Sequence, residues 1–292
     1  MVSDEKKGLV EMVRMKASIM VVMICLLTMV VSVCSANAVP NDDSKEYVIQ
    51  AYEKMNKLNS YHLTIETVGS MEVQGRPMNI VMNGEADYQV KPVLFKSVMA
   101  MSMDVNSQRN EQTIEQYMEQ VGSQLVIYTK VNGKWVKQVM PYYDPLAEYS
   151  NYFKAIKSAK QVDETSDDKV FEVVISGKYL QENIKRIMAS TGTAKVELPA
   201  ELFNNLGDST FAIAINKETN SVSKITMDMT NFLAQFGKNI AGLKEVPNNQ
   251  KEMVRAMFSS MKMTTAVTFS QPNSVEKIVI PQEAKADNVP VM

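Results

Sequence analysis

Residues 78–105 read MNIVMNGEADYQVKPVLFKSVMAMSMDV, and this stretch decides the fold. Ile80, Met82, Gly84, Ala86, Tyr88 and Val90 are apolar or small, and they alternate with polar Asn83, Glu85, Asp87 and Gln89. A period of two marks a strand with one dry face and one wet face. Lys91-Pro92 turns the chain, and the alternation resumes through Val93, Phe95, Met99, Met101, Met103 and Val105. Two such runs joined by a short turn pair antiparallel.

The same period extends to both sides. Upstream, Leu63, Ile65, Met71 and Val73 share one parity before the turn at Gly75-Arg76-Pro77. Downstream, Glu111 to Glu119 reads as a more polar strand. Leu125 to Val131 and Trp135 to Val139 then flank Asn132-Gly133, a dipeptide that favours two-residue hairpins. The region is a continuous antiparallel meander. A helix precedes it: Asp43 and Glu46 stand in capping-box spacing, and Val48, Ala51, Tyr52, Met55 and Leu58 mark one helical face.

After the meander, Asp144-Pro145 starts a helix whose apolar face is Leu146, Tyr149, Phe153 and Ile156. A strand follows at 169–176, then an amphipathic helix with Leu180, Ile184, Ile187 and Met188, then an irregular segment at 190–209. Strands at 211–216 and 222–230 form a hairpin around Glu218-Thr219-Asn220. Short helices are expected around Phe232, Phe236 and Ile240 and over Met253 to Phe258. Strands at 261–270 and 276–280 follow, and the last dozen residues read as a loose tail. No linker divides the chain. The order predicts one α+β domain over residues 39–292, a single large antiparallel sheet with helices gathered on one side.

Residues 1–38 carry the layout of a secretory signal peptide. Lys6, Lys7, Arg14 and Lys16 precede the apolar run Ile19–Val33, and Ala36-Asn37-Ala38 supplies small residues for cleavage. Met15 is an alternative start. The apolar run of about 15 residues falls short of the roughly 20 needed to span a bilayer. The expected location is therefore extracytoplasmic, secreted or associated with the cell envelope. Both cysteines, Cys25 and Cys34, lie in this segment, so cleavage after Ala38 leaves no thiol chemistry in the mature chain. Val31-Ser32-Val33-Cys34 resembles a lipobox with Val33 where a small residue is usual, which makes Cys34 a candidate lipidation site.

The net charge is −2 with both signs mixed, so there is no electrostatic footprint for nucleic acid. His62 is the only histidine and reads as structural. No HExxH, phosphate-binding loop, GxGxxG or Gly-x-Ser-x-Gly elbow occurs, and no carboxylate pair stands out. No enzymatic activity, cofactor or metal is expected. Asp163, Glu164, Asp167 and Asp168 read as a solvated turn, since the glycine and spacing of a calcium loop are missing.

The methionines carry the functional signal. There are 23, several at i, i+2 on strands, so they form stripes on one face of the sheet. Thioether side chains are unbranched and adapt to irregular partners, which suits a lining for variable acyl chains as well as a core. Met82, Met99, Met101, Met103, Met227 and Met229 are the candidate lining, and Tyr149, Tyr152 and Phe153 the candidate rim. A Met-x-Met-x-Met strand also suits Cu(I), but its apolar neighbours Val93, Phe95 and Val105 argue for burial.

The export signal, the capped helix Lys45–Leu58, the passage Asn59-Ser60-Tyr61-His62-Leu63 into a strand, and the long meander broken by helices resemble the LolA/LppX/LprG-like superfamily, especially uncharacterised bacterial lipoproteins near it. The resemblance implies a curved, half-open β-barrel with helices on its concave side around a hydrophobic cavity. It also implies carriage of lipids or lipoprotein acyl chains at the envelope membrane surface, or sensing of envelope state. The expected function is non-enzymatic binding of lipid or another hydrophobic ligand. The alternative is a structural or sensory envelope protein working through protein contacts.

Overall fold

The computed structural model describes residues 43–73, 75–105, 108–131, 133–142, 155–182, 199–244 and 246–291. The export segment with Cys25 and Cys34, the rim candidates Tyr149, Tyr152 and Phe153, and Leu146, Ile184, Ile187 and Met188 lie outside them.

Helix α1 spans Asp43–Met55. Six strands follow as a meander: β1 (Ser60–Val73), β2 (Arg76–Gln89), β3 (Leu94–Val105), β4 (Gln108–Val121), β5 (Gln124–Val131) and β6 (Lys134–Pro141). The second half comprises β7 (Ile156–Glu164), β8 (Asp168–Ile175), β9 (Ser209–Asn216) and β10 (Val222–Asp228). It continues with α2 (Thr230–Gly242), α3 (Asn248–Ser260), β11 (Lys262–Ser270) and the short helix α4 (Gln282–Lys285). All pair antiparallel in one sheet, in the order β6-β5-β4-β3-β2-β1-β11-β10-β9-β8-β7. The sheet is curved and unclosed, with β6 and β7 at its edges. The single large antiparallel sheet expected from the alternating pattern, and the half-barrel that the resemblance implies, are the fold.

Directly opposed residues in an antiparallel pair share a face. The register therefore assigns each residue of β1–β6 to the inner face, which faces α1, α2 and α3, or to the outer face. Leu63 opposes Ala86 and Phe269, and Ile65 opposes Gly84 and Val267, all inner. His62 opposes Asp87 and Ser270, all outer.

α1 lays Val48, Ile49, Ala51, Tyr52 and Met55 onto inner residues of β7–β10, including Phe171, Val173, Ile213 and Ile225. α2 and α3 cross where Gly237 lets Phe258 approach; a β-carbon there would overlap the phenyl ring. They bury Leu233, Phe236, Ile240 and Phe258 against Met261 and Met263.

Three expectations are corrected. Ile156 is not on a helix face: it is in β7 opposite Ile175, where it packs in the core. The segment expected as a strand at 276–280 is not a strand and joins no sheet. The last dozen residues are not a loose tail. Residues 271–291 cross the outer face, burying Ile278, Ile280 and Ala284 on Tyr117, Val126 and Tyr128. The Lys137 amide then donates to Pro290 O (2.8 Å), beside a parallel bridge from Lys137 to Val291. Part of the irregular 190–209 segment is also core: Leu202, Phe203 and Leu206 are buried around a 3-10 turn at Ala200–Phe203.

Candidate functional site: the methionine-rich inner face

The inner face of β2–β4 gathers four of the six candidate lining residues. Met82 opposes Met101 across β2 and β3, Met103 opposes Ile80, and Met99 opposes Gly84. Gly84 is where a side chain is missing, and Met99 fills the space: a β-carbon at Gly84 would overlap Met99 Sδ and come to 2.8 Å from Val98 O. Met118 of β4 and Phe95 of β3 are opposed on the same face and join the cluster. Met82, Met99 and Met101 are each 7% exposed, and Met103 and Met118 are partly buried.

The cluster is bounded by rings and by a polar pair. Tyr61 lies 5.2 Å from Tyr88 and 5.9 Å from Phe269, centroid to centroid. Thr67 opposes both Met82 and Thr265, and its hydroxyl lies 3.0 Å from that of Thr265 with both residues buried. Among the described residues, only Leu58, just past α1, joins this cluster from outside the sheet.

Met227 and Met229 stand elsewhere. Met227 opposes Phe211 and Thr265 and is buried in the α1 core. Met229 precedes α2, its amide donating to Met263 O (2.8 Å), and it packs between the α1 core and the α2–α3 core. Both belong to the half of the sheet that helices fill.

The sequence reading overlooked Met118 and the β4 carboxamides Gln112 and Gln116. The signal was present: on β4 the even positions Gln112, Ile114, Gln116 and Met118 are uncharged, whereas the odd ones include Glu111, Glu115 and Glu119. Gln116 Nε2 donates to Thr129 Oγ1 (3.1 Å).

The charged groups of β1–β6 sit on the outer face or beside turns. His62 Nδ1 lies 2.7 Å from Asp87 Oδ1. Tyr117 and Tyr128 donate to Glu115 Oε1 (3.0 Å) and Glu119 Oε1 (2.8 Å), and Lys285 Nζ reaches Glu119 Oε2 at 2.8 Å. Burial, then the hydrogen bond and charge of Glu115, pushes Tyr117 up to about 12; Tyr128 is raised by the same causes from Glu119. The acidic group at 163–168 is the β7–β8 turn. There a hydrogen bond from Lys217 (2.6 Å), with a further one from Gln161, holds the Glu164 carboxyl below its usual range. Among the described residues, no three His, Cys, Asp or Glu side chains gather as a metal site, and no helix is long and apolar enough to cross a membrane.

Among the described residues, fold and face together define an α+β half-barrel with one half of its inner surface packed by helices and the other carrying thioethers. The chain belongs to a family of unknown function, DUF6612, whose model matches residues 44–289. No curated protein matches it. Among solved structures it is similar to the crystal structure of a DUF1329 family protein from Desulfovibrio piger. The identity is 6%, the match covers 78% of this chain and 90% of that one, and the TM-score is 0.23.

Proposed function

We propose that this protein is a non-enzymatic, extracytoplasmic carrier that holds lipid or another apolar ligand on the inner face of β2–β4. The observation that carries this reading is the contiguous thioether surface of Met82, Met99, Met101, Met103 and Met118, set in the half of the sheet that α1, α2 and α3 do not pack. An acyl chain lying there exchanges water for polarisable side chains, worth roughly 0.8 kcal/mol per methylene. Unbranched methionines re-pack around chains of different length at little strain. The basic, apolar and small-residue layout of residues 1–38 supports delivery to the envelope, where the membrane surface is the source or destination of the ligand. The LolA/LppX/LprG-like resemblance agrees with a carrier of this kind.

Native mass spectrometry of the protein purified gently from its own envelope tests the reading. Retained lipid, and an apolar fluorescent probe that the extracted lipid displaces, are the expected results. Protein that carries no lipid and binds no probe overturns it. The low exposure of Met82, Met99 and Met101 favours a second reading, a filled core in a structural or sensory envelope protein that works through protein contacts. That reading predicts the negative outcome of the same experiment.

A further inference from the structure

The inner face of β1–β6 is built almost without charge. Every charged side chain on these strands belongs to the outer face, except Arg76 and Lys134, which stand beside turns at the first positions of β2 and β6. β4 makes the division plainest. Its outer positions include Arg109, Glu111, Glu115 and Glu119, while its inner positions carry the carboxamides Asn110, Gln112, Gln116 and Gln120.

These carboxamides adjoin the thioethers. In the register Gln112 opposes Met101, and Gln116 opposes Ser97, next to Met99 on β3. Gln116 uses one N–H on Thr129. Among the described residues, the half-buried Gln112 carboxamide has no hydrogen-bond partner. A carboxamide both donates and accepts, so it matches a hydroxyl or another amide. It cannot neutralise a carboxylate or phosphate, and an ionised group taken out of water without a counter-charge is strongly disfavoured.

We propose that the ligand is an uncharged amphiphile. Its chain lies along Met99, Met101 and Met103, and its hydroxyl- or amide-bearing polar part is read by Gln112 and Gln116. This rests on the carrier reading above and names its ligand class.

The test is displacement of N-phenyl-1-naphthylamine from the full chain by monododecanoylglycerol and by dodecanoate. Both are used at mildly alkaline pH and below their micelle concentrations. The neutral ester is expected to bind at least about tenfold more tightly than the anion of the same chain length. Gln112→Leu combined with Gln116→Leu narrows that ratio by weakening the ester several-fold, while the anion stays disfavoured. Gln112→Lys alone, at a half-buried position, shifts the ratio toward dodecanoate. The outer-face variant Glu115→Gln leaves the ratio unmoved. Equal or tighter binding of dodecanoate by the unaltered protein overturns the proposal, as does a ratio indifferent to Gln112→Lys. A flat ratio with good probe binding removes the ligand class alone. Absence of probe binding removes the carrier reading and this inference with it.

Discussion

At the scale of single residues, one glycine, one threonine pair and two tyrosines carry testable weight. Gly84 is open so that Met99 can lie across it, and a β-carbon there would also crowd Val98 O. Gly84→Ala is expected to cost about 1–3 kcal/mol by over-packing. A urea unfolding midpoint that does not move would mean that the thioether simply swings aside. The buried Thr67 and Thr265 hydroxyls satisfy each other at 3.0 Å. Thr67→Val strands the Thr265 hydroxyl and should cost about 1–3 kcal/mol. The double change Thr67→Val/Thr265→Val should recover most of that loss, and a strictly additive double-mutant cycle would refute the pairing. Burial and Glu115 push Tyr117 up to about 12 in the fold against 10.0 ordinarily, and burial and Glu119 raise Tyr128 too. Above pH about 10 the unfolded chain releases phenolic protons that the native state keeps, so alkalinity favours unfolding. The stabilisation is complete below pH about 10 and is lost as pH climbs toward 12, with a slope of about 1.4 kcal/mol per pH unit for each such tyrosine. Phenolate absorbance should show two tyrosines ionising late. Uniform ionisation near pH 10 in still-folded protein would contradict this.

Among the elements, the C-terminal segment is the one whose role the sequence concealed. Its anchors are few: Ile278, Ile280 and Ala284 are buried, while Val279 between the first two is 71% exposed. Three apolar residues in this spacing read equally well as a short strand. Their partner is the outer side of β4 and β5, where Tyr117, Val126 and Tyr128 have the parity of a solvent face. Local periodicity does not show that a distant segment will cover that face. Ile156 failed for a related reason: its spacing from Phe153 suits a helix, but opposition to Ile175 across β7 and β8 decides its conformation. The meander was legible because β1 to β3 alternate over most of their length and are joined by short turns, so parity, neighbour and face follow together. Removing one anchor tests the segment's reach. Ile280→Ala should cost about 2–4 kcal/mol. Hydrogen exchange should quicken in β4–β6, under the segment, while β8–β10, packed on α1, keep their protection. Equal loss across the sheet would mean that the segment supports the whole fold instead of one end.

Over the whole molecule, the sheet divides by what lies on its inner face. Toward β7 it is a helix-packed core in which Met55 and Met227 are buried among aromatic and branched side chains. Toward β4 it is thioethers, rings and carboxamides. The methionine stripes were legible in the sequence, because i, i+2 spacing puts them on one face. Their division between the halves was not, because strand order places β11 between β1 and β10, and no local pattern reveals that insertion. Met82, Met99, Met101 and Met103 thus fall in one cluster, while Met227 and Met229 fall with the helices. This division separates a ligand surface from a core by experiment. Dilute peroxide converts a thioether to a polar sulfoxide at a rate set by exposure. Among the described methionines, Met253, on the exposed side of α3, should oxidise first with or without ligand. Saturation with an apolar ligand should slow oxidation of Met99, Met101 and Met103, read by peptide mass mapping. Met55 and Met227 should react slowly and at the same rate in both states, since no ligand reaches the half that α1 fills. If ligand slows none of the three, or slows Met227 equally, the thioether cluster is core like the rest, and the protein's working surface lies outside the half-barrel.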